Sequence, residues 1–145
     1  MRSPHLELYV HLVWATWDRL LLITPELEPR LYAALVQQAR TLSSVPLAIG
    51  GIADHVHLLL QLPSTLSVAA VVKALKGSSS HLVTHGIQKD TVFKWQGGYG
   101  AFSDSAGEVE RVQRYVACQR EHHATRSLIP AWEQVAVENE MPPGE

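Results

Sequence analysis

The apolar residues of this chain change period in the order strand, helix, strand, strand, helix, strand, helix, and few architectures accept that order. Residues 6–16, LELYVHLVWAT, are rich in β-branched and aromatic side chains and read as a first strand. Thr24 and Pro25 suit the cap and first turn of a helix, and Leu27, Leu31, Leu35 and Ala39 keep a helical spacing to about Leu42. LAIGGIAD (47–54) is a second strand, where Gly50 and Gly51 point to a bulge or a close backbone approach. DHVHLLLQLP (54–63) is a third strand, ended by Pro63. A second helix covers 65–86, capped by Ser67 and interrupted near Gly77. VFKWQGGYGAFSDS (92–105) contains a fourth strand with a glycine-rich centre. SAGEVERVQRYVACQREHH (105–123) is a third helix, opened by a capping box of Ser105 and Glu108.

Strands two and three are close enough in sequence to form an antiparallel hairpin, and the first two helices make crossovers. The expected class is α+β, a ferredoxin-like (RRM-like) βαββαβ antiparallel sheet with an added C-terminal helix. No repeat or linker divides residues 1–145, so one domain is expected, with an acidic tail from about residue 130, frayed at its end. The apolar runs fall far short of the ~20 residues that span a bilayer, and the N-terminus lacks the pattern of a secretion signal. Cys118 is the single cysteine, which excludes an internal disulfide and fits a reducing cytoplasm. The formal net charge is −2, yet Lys73, Lys76, Lys89, Lys94, Arg111, Arg114, Arg120 and Arg126 gather in the middle and later parts, so a local basic face remains open.

His55 and His57 stand two apart in the third strand, so both project from one face, while Val56, Leu58 and Leu60 face the other way into a core. Two neutral imidazoles at this spacing can share a divalent cation, with Asp54 available to hold one ring in its tautomer. Two surface or hydrogen-bonded histidines are the alternative, and the pair needs a third ligand from elsewhere. In the last helix, Tyr115 and Gln119 are four apart and share a face. A glutamine amide oxygen can complete a site built on two histidines, with the phenol one turn away. Ordinary packing of an amphipathic helix explains that pair equally well.

Five blocks appear in order: HLVWATWDR, ADHVHLLL, VVKALKGSSSH, WQGGYGAFS and VQRYVACQREHH. Together, over about residues 5–128, they resemble the small single-tyrosine transposases of bacterial insertion sequences, including the repeat-associated group, within the histidine-hydrophobic-histidine (HUH) superfamily. The resemblance implies that His55, His57 and Gln119 are metal ligands and that Tyr115 is the nucleophile. It implies a Mg²⁺ cofactor, for which Mn²⁺ should substitute, and a homodimer in which one subunit's tyrosine helix completes the other's site. The implied substrate is single-stranded DNA at hairpin ends, cut and rejoined through a 5′-phosphotyrosine.

Further residues acquire expected places. Lys73 and Lys76 could contact phosphates, Trp95 and Tyr99 could stack on unpaired bases, and Arg111, Arg114 and Arg120 could steer DNA. His11 and Asp54 are expected to support the ligands, whereas His122 and His123 read as phosphate contacts or surface residues. ATWDRLLLITPE, after the first strand, carries one arginine and two acids, where many relatives are more basic. A non-catalytic or host-retained hairpin-binding protein on the same fold is the alternative reading.

Overall fold

The computed structural model describes residues 4–89 and 91–135. Its strands β1 (Tyr9–Ala15), β2 (Val45–Ile52), β3 (His55–Gln61) and β4 (Gly100–Asp104) form one antiparallel sheet in the order β2-β3-β1-β4. This is the expected α+β, ferredoxin-like arrangement. The central strands are buried on both faces, as their nearly unbroken apolar runs require.

One face carries Val10, Leu12 and Trp14 of β1 and Val56, Leu58 and Leu60 of β3. These pack against Leu31, Leu35 and Ala39 of α1 (Glu28–Thr41) and Val71, Val72 and Leu75 of α2 (Val68–Leu82). Each large aliphatic side chain buried there stabilises the fold by roughly 1.5–3 kcal/mol. The opposite face carries His11, His55, His57 and Leu59, and Leu59 packs beneath Val112 and Val116 of α3 (Val109–Ala117).

Local chemistry accounts for the helix starts. The Thr24 hydroxyl accepts from the Leu27 N–H and its carbonyl accepts from Glu28, so the chain turns at the expected cap although the helix proper begins four residues later. Ser67 caps α2 through the Ala70 N–H. Three local expectations fail. Gly77 does not interrupt α2, which runs on to Leu82 and widens into a π-turn over Val83–Ile87. The Ser105–Glu108 capping box does not form: residues Ala106–Glu108 make a 3-10 turn, and the Glu108 carboxylate turns to Arg111 instead. The last helix is not continuous. It breaks at Cys118 (φ −107°, ψ 32°) into α3 and α4 (Gln119–Thr125).

The irregularity in β2 lies between Pro46 and Ala48, not at the glycines. Gly50 serves the other expected purpose. A Cβ there would lie 1.9 Å from the Val116 carbonyl oxygen, so glycine lets α3 settle directly on β2. Residues 130–133, expected in the tail, form a 3-10 turn whose Trp132 packs with Val112 and Val116; residues 136–145 lie outside the described residues. No described helix is long and apolar enough to cross a membrane.

Candidate active site

Strand register builds the first half of the site. Val13 pairs with His57 and Ala15 with His55 across β1 and β3, which places His11 on the same face, diagonally beside His57. His11 Nε2 lies 2.7 Å from His57 Nδ1, and both rings are fully buried. His55 Nδ1 lies 2.8 Å from Asp54 Oδ1. Each member of the pair therefore has Nδ1 engaged by a neighbouring side chain, His11 or Asp54, and Nε2 facing outward from the sheet.

The second half descends from α3 and α4. The Gln119 amide nitrogen donates to the Tyr115 carbonyl (3.1 Å), which turns its Oε1 toward His55 Nε2 at 3.3 Å. Two groups outside the expected set join them. His123 Nε2 is 3.2 Å from His55 Nε2. Glu133, from the turn after α4, places Oε1 3.4 Å from His55 Nε2 and Oε2 3.1 Å from His57 Nε2. His55, His57 and Glu133 together could hold a metal ion.

His55 Nε2 thus faces an amide oxygen, a carboxylate oxygen and another ring nitrogen. Because Nδ1 already donates to Asp54, that nitrogen needs a second proton or a cation to satisfy its neighbours. Without a cation the proton takes the place: burial disfavours the charged ring, but hydrogen bonds to Asp54 and Glu133 outweigh it and lift the pKa to about 9. Burial also opposes ionisation of Glu133, yet its bonds to His55 and His57 hold the carboxyl well below the usual range. Burial keeps His11 neutral down to about 3, helped by His57 beside it. The donor set fits a divalent ion, since imidazole, amide and carboxylate are all ordinary ligands of first-row metals.

Tyr115 stands over this cluster, with its ring 5.9 Å from that of His57. Its hydroxyl donates to Glu133 Oε2 at 2.6 Å and accepts from the Ile129 N–H at 3.0 Å. Trp132 meets its ring edge-on and His122 stacks against it. The phenol is 3% exposed. Burial and the Glu133 contact raise its pKa to about 12. Residues 129–133 therefore cover the tyrosine.

The other expected contacts separate into two groups. Lys76 is not a free phosphate ligand: its ammonium donates to the carbonyls of Gln96 and Gly98, tying that loop to α2. Trp95 is not a stacking platform either, because its ring lies edge-on to Trp14 and Phe93 and its N–H donates to Ser79 Oγ. Tyr99 packs against the same core. In contrast, Lys73, Arg111, Arg114 and Arg120 are exposed. Arg120 pairs with Glu28, while Arg111 pairs with Glu108 and lies over the Trp132 ring. Glu133 was missed because an acidic tail reads as solvated. The signal was the apolar SLIPAW immediately before it, which a solvated tail does not need.

Comparison with known proteins agrees with this fold. A sequence profile for a family described as IS200-like transposases matches residues 5–119. A crystal structure of a protein from Deinococcus radiodurans R1 assigned as a transposase superimposes with a TM-score of 0.64. It shares 24% identity, and the match covers 80% of this chain and 95% of that one. The structure of a REP-associated tyrosine transposase bound to a REP hairpin gives a TM-score of 0.62 at 14% identity, covering 100% of this chain and 95% of that one. No curated protein matches the chain.

Proposed function

The chain belongs to the IS200-like transposase family, and from that premise we propose that it cuts and rejoins single-stranded DNA at hairpin ends through a phosphotyrosine formed on Tyr115. His55, His57 and Gln119 are the proposed ligands of a divalent ion, magnesium or manganese. The observation that carries the reading is the convergence on His55 Nε2 of acceptor atoms, directly beside a phenol.

The residues' own chemistry follows from their contacts. Asp54 keeps the proton of His55 on Nδ1, and His11 Nε2 can accept the proton of His57 Nδ1, leaving both Nε2 lone pairs for the cation. When bound, that ion would offset phosphate charge and ease loss of the phenolic proton. Glu133 is a poor base for this task, because transfer from a phenol near 12 to so acidic a carboxyl is steeply uphill. Tyr115 Oη gives its proton to water as it forms a bond to phosphorus, the P–O3′ bond breaks, and the leaving 3′ oxygen takes up a proton from water. The phosphotyrosine conserves the energy of the broken linkage, so a free 3′-OH can reverse the step without a nucleotide cofactor.

A phosphate cannot reach Tyr115 while Glu133 holds its hydroxyl, so substrate entry displaces Glu133 and the segment that carries it. A single chain brings its own Tyr115 to its own histidines. The homodimer implied by the resemblance, in which one subunit's tyrosine helix completes the other's site, would hold two DNA ends for rejoining. The second reading, a hairpin-binding protein without cleavage, is favoured by one observation, the burial of Tyr115.

The test uses labelled single-stranded hairpin DNA with Mg²⁺ or Mn²⁺ and a denaturing protein gel. A covalent adduct formed by the native chain and lost in Tyr115→Phe is expected. Binding without an adduct supports the second reading, and cleavage that survives Tyr115→Phe rules out tyrosine as nucleophile.

A further inference from the structure

His123 lies on the same stripe of α4 as Gln119, four residues on, so the turn that presents the amide also presents this ring. The break at Cys118 starts α4 at Gln119 and sets the direction of both side chains. The rings of His123 and His55 are tilted by 54°, with centroids 4.8 Å apart, and they meet through their nitrogens. Three atoms, His55 Nε2, His123 Nε2 and Glu133 Oε1, lie 3.2, 3.4 and 3.4 Å from one another. Two ring nitrogens at this distance hold either a proton, as in the metal-free chain, or a cation between them. Ligands of a common ion, about 2.2 Å from it and at right angles, are separated by roughly this distance.

We propose that His123 is a third imidazole ligand of the cation site, and that the site accordingly prefers a first-row transition ion of the manganese or cobalt kind over magnesium. The proposal rests on the reading that His55 and His57 hold a divalent metal. Glu133 must yield to the incoming phosphate, because both need the same space beside Tyr115. His123 does not touch Tyr115 Oη, so it can remain beside His55 Nε2 and the Gln119 oxygen when Glu133 leaves, as a replacement donor for the ion. Magnesium favours oxygen ligands and retains its waters, whereas imidazole suits the later divalent ions. Two histidines and an amide would leave the choice between the ions open; the third ring decides it.

The experiment titrates the full chain, free of metal and of DNA, with Mn²⁺ and Mg²⁺ by calorimetry, and records the visible spectrum with Co²⁺. One strong Mn²⁺ site is expected, bound at least tenfold more tightly than Mg²⁺. His123→Ala should weaken Mn²⁺ about tenfold or more, alter the Co²⁺ bands, and narrow the gap between Mn²⁺ and Mg²⁺. A quarter of the His123 side chain is exposed, so folding should survive its loss, and circular dichroism checks it. His123→Gln, which supplies an amide oxygen, should give the same narrowing. Unchanged Mn²⁺ affinity and Co²⁺ bands in both variants would overturn the role of His123 and leave the metal reading standing. A native chain that binds no divalent ion would remove both.

Discussion

The Nε2 atom of His11 lies 2.7 Å from the Nδ1 atom of His57, across the pairing of β1 with β3 and with no solvent access to either ring. The two nitrogens share one proton. Only when it resides on His57 is the other nitrogen of that ring free for a cation, and His11 is the acceptor that keeps it there. His11→Phe removes the acceptor while filling the space. It should weaken Mn²⁺ binding about tenfold, as loss of such a supporting contact commonly does, with the far-ultraviolet dichroism unchanged. Native affinity in this variant would show that the ring only packs.

Gly50 sets the height of the tyrosine helix. The backbone oxygen of Val116 occupies the place of a side chain at this position, so Gly50→Ala must lift α3 off β2. A loss of roughly 1–3 kcal/mol in urea unfolding is expected, comparable with overpacking a core. Metal affinity should fall with it, because Gln119 moves with the helix. Gly77→Ala is the control: open space surrounds Gly77 in the middle of α2, and alanine should stabilise the chain by about 0.5–1 kcal/mol.

Glu133 and a scissile phosphate compete for Tyr115. Glu133→Ala releases the phenol from its strongest partner and removes a negative charge from the path of a polyanion. The rate of adduct formation on hairpin DNA, followed by gel, should rise severalfold at saturating Mn²⁺. A fall in that rate would instead assign the carboxylate a direct part in cleavage.

The metal-free chain should be most stable between about pH 6 and 7. His55 has a folded pKa near 9 against 6.5, so its contribution is complete below 6.5 and is lost as pH rises through 9. His11 has a folded value near 3, so the unfolded chain binds the extra proton as pH falls from 6.5 toward 3, and stability declines there. Each uncompensated proton gives a slope of about 1.4 kcal/mol per pH unit. Thermal melts in EDTA across this range should trace the maximum. Added Mn²⁺ should move it upward, since the ion displaces the proton from His55.

Lys73 and Lys76 lie on one helix and should behave differently. Lys73 is exposed, and its replacement by alanine should reduce the salt dependence of hairpin binding by about one unit of slope. Lys76→Ala unties the loop carbonyls of Gln96 and Gly98 instead. It should lower the melting temperature and leave the salt slope near its native value.

Local pattern determined much of this molecule. Period and punctuation revealed the strands and helices, the Ser67 cap and the face shared by His55 and His57, because these depend on neighbours a few residues away. Tyr115 and Gln119 were legible as a pair for the same reason. Tertiary structure decided what distance along the chain conceals. Strand register put His11 against His57, the break at Cys118 aimed His123 inward, and Lys76 and Trp95 went to structural duties that their chemistry alone does not announce. Above all, packing of SLIPAW brought Glu133 into the ring of histidines. A carboxylate's preference for water is a local property, whereas its pairing with a buried imidazolium exists only once three distant segments have met.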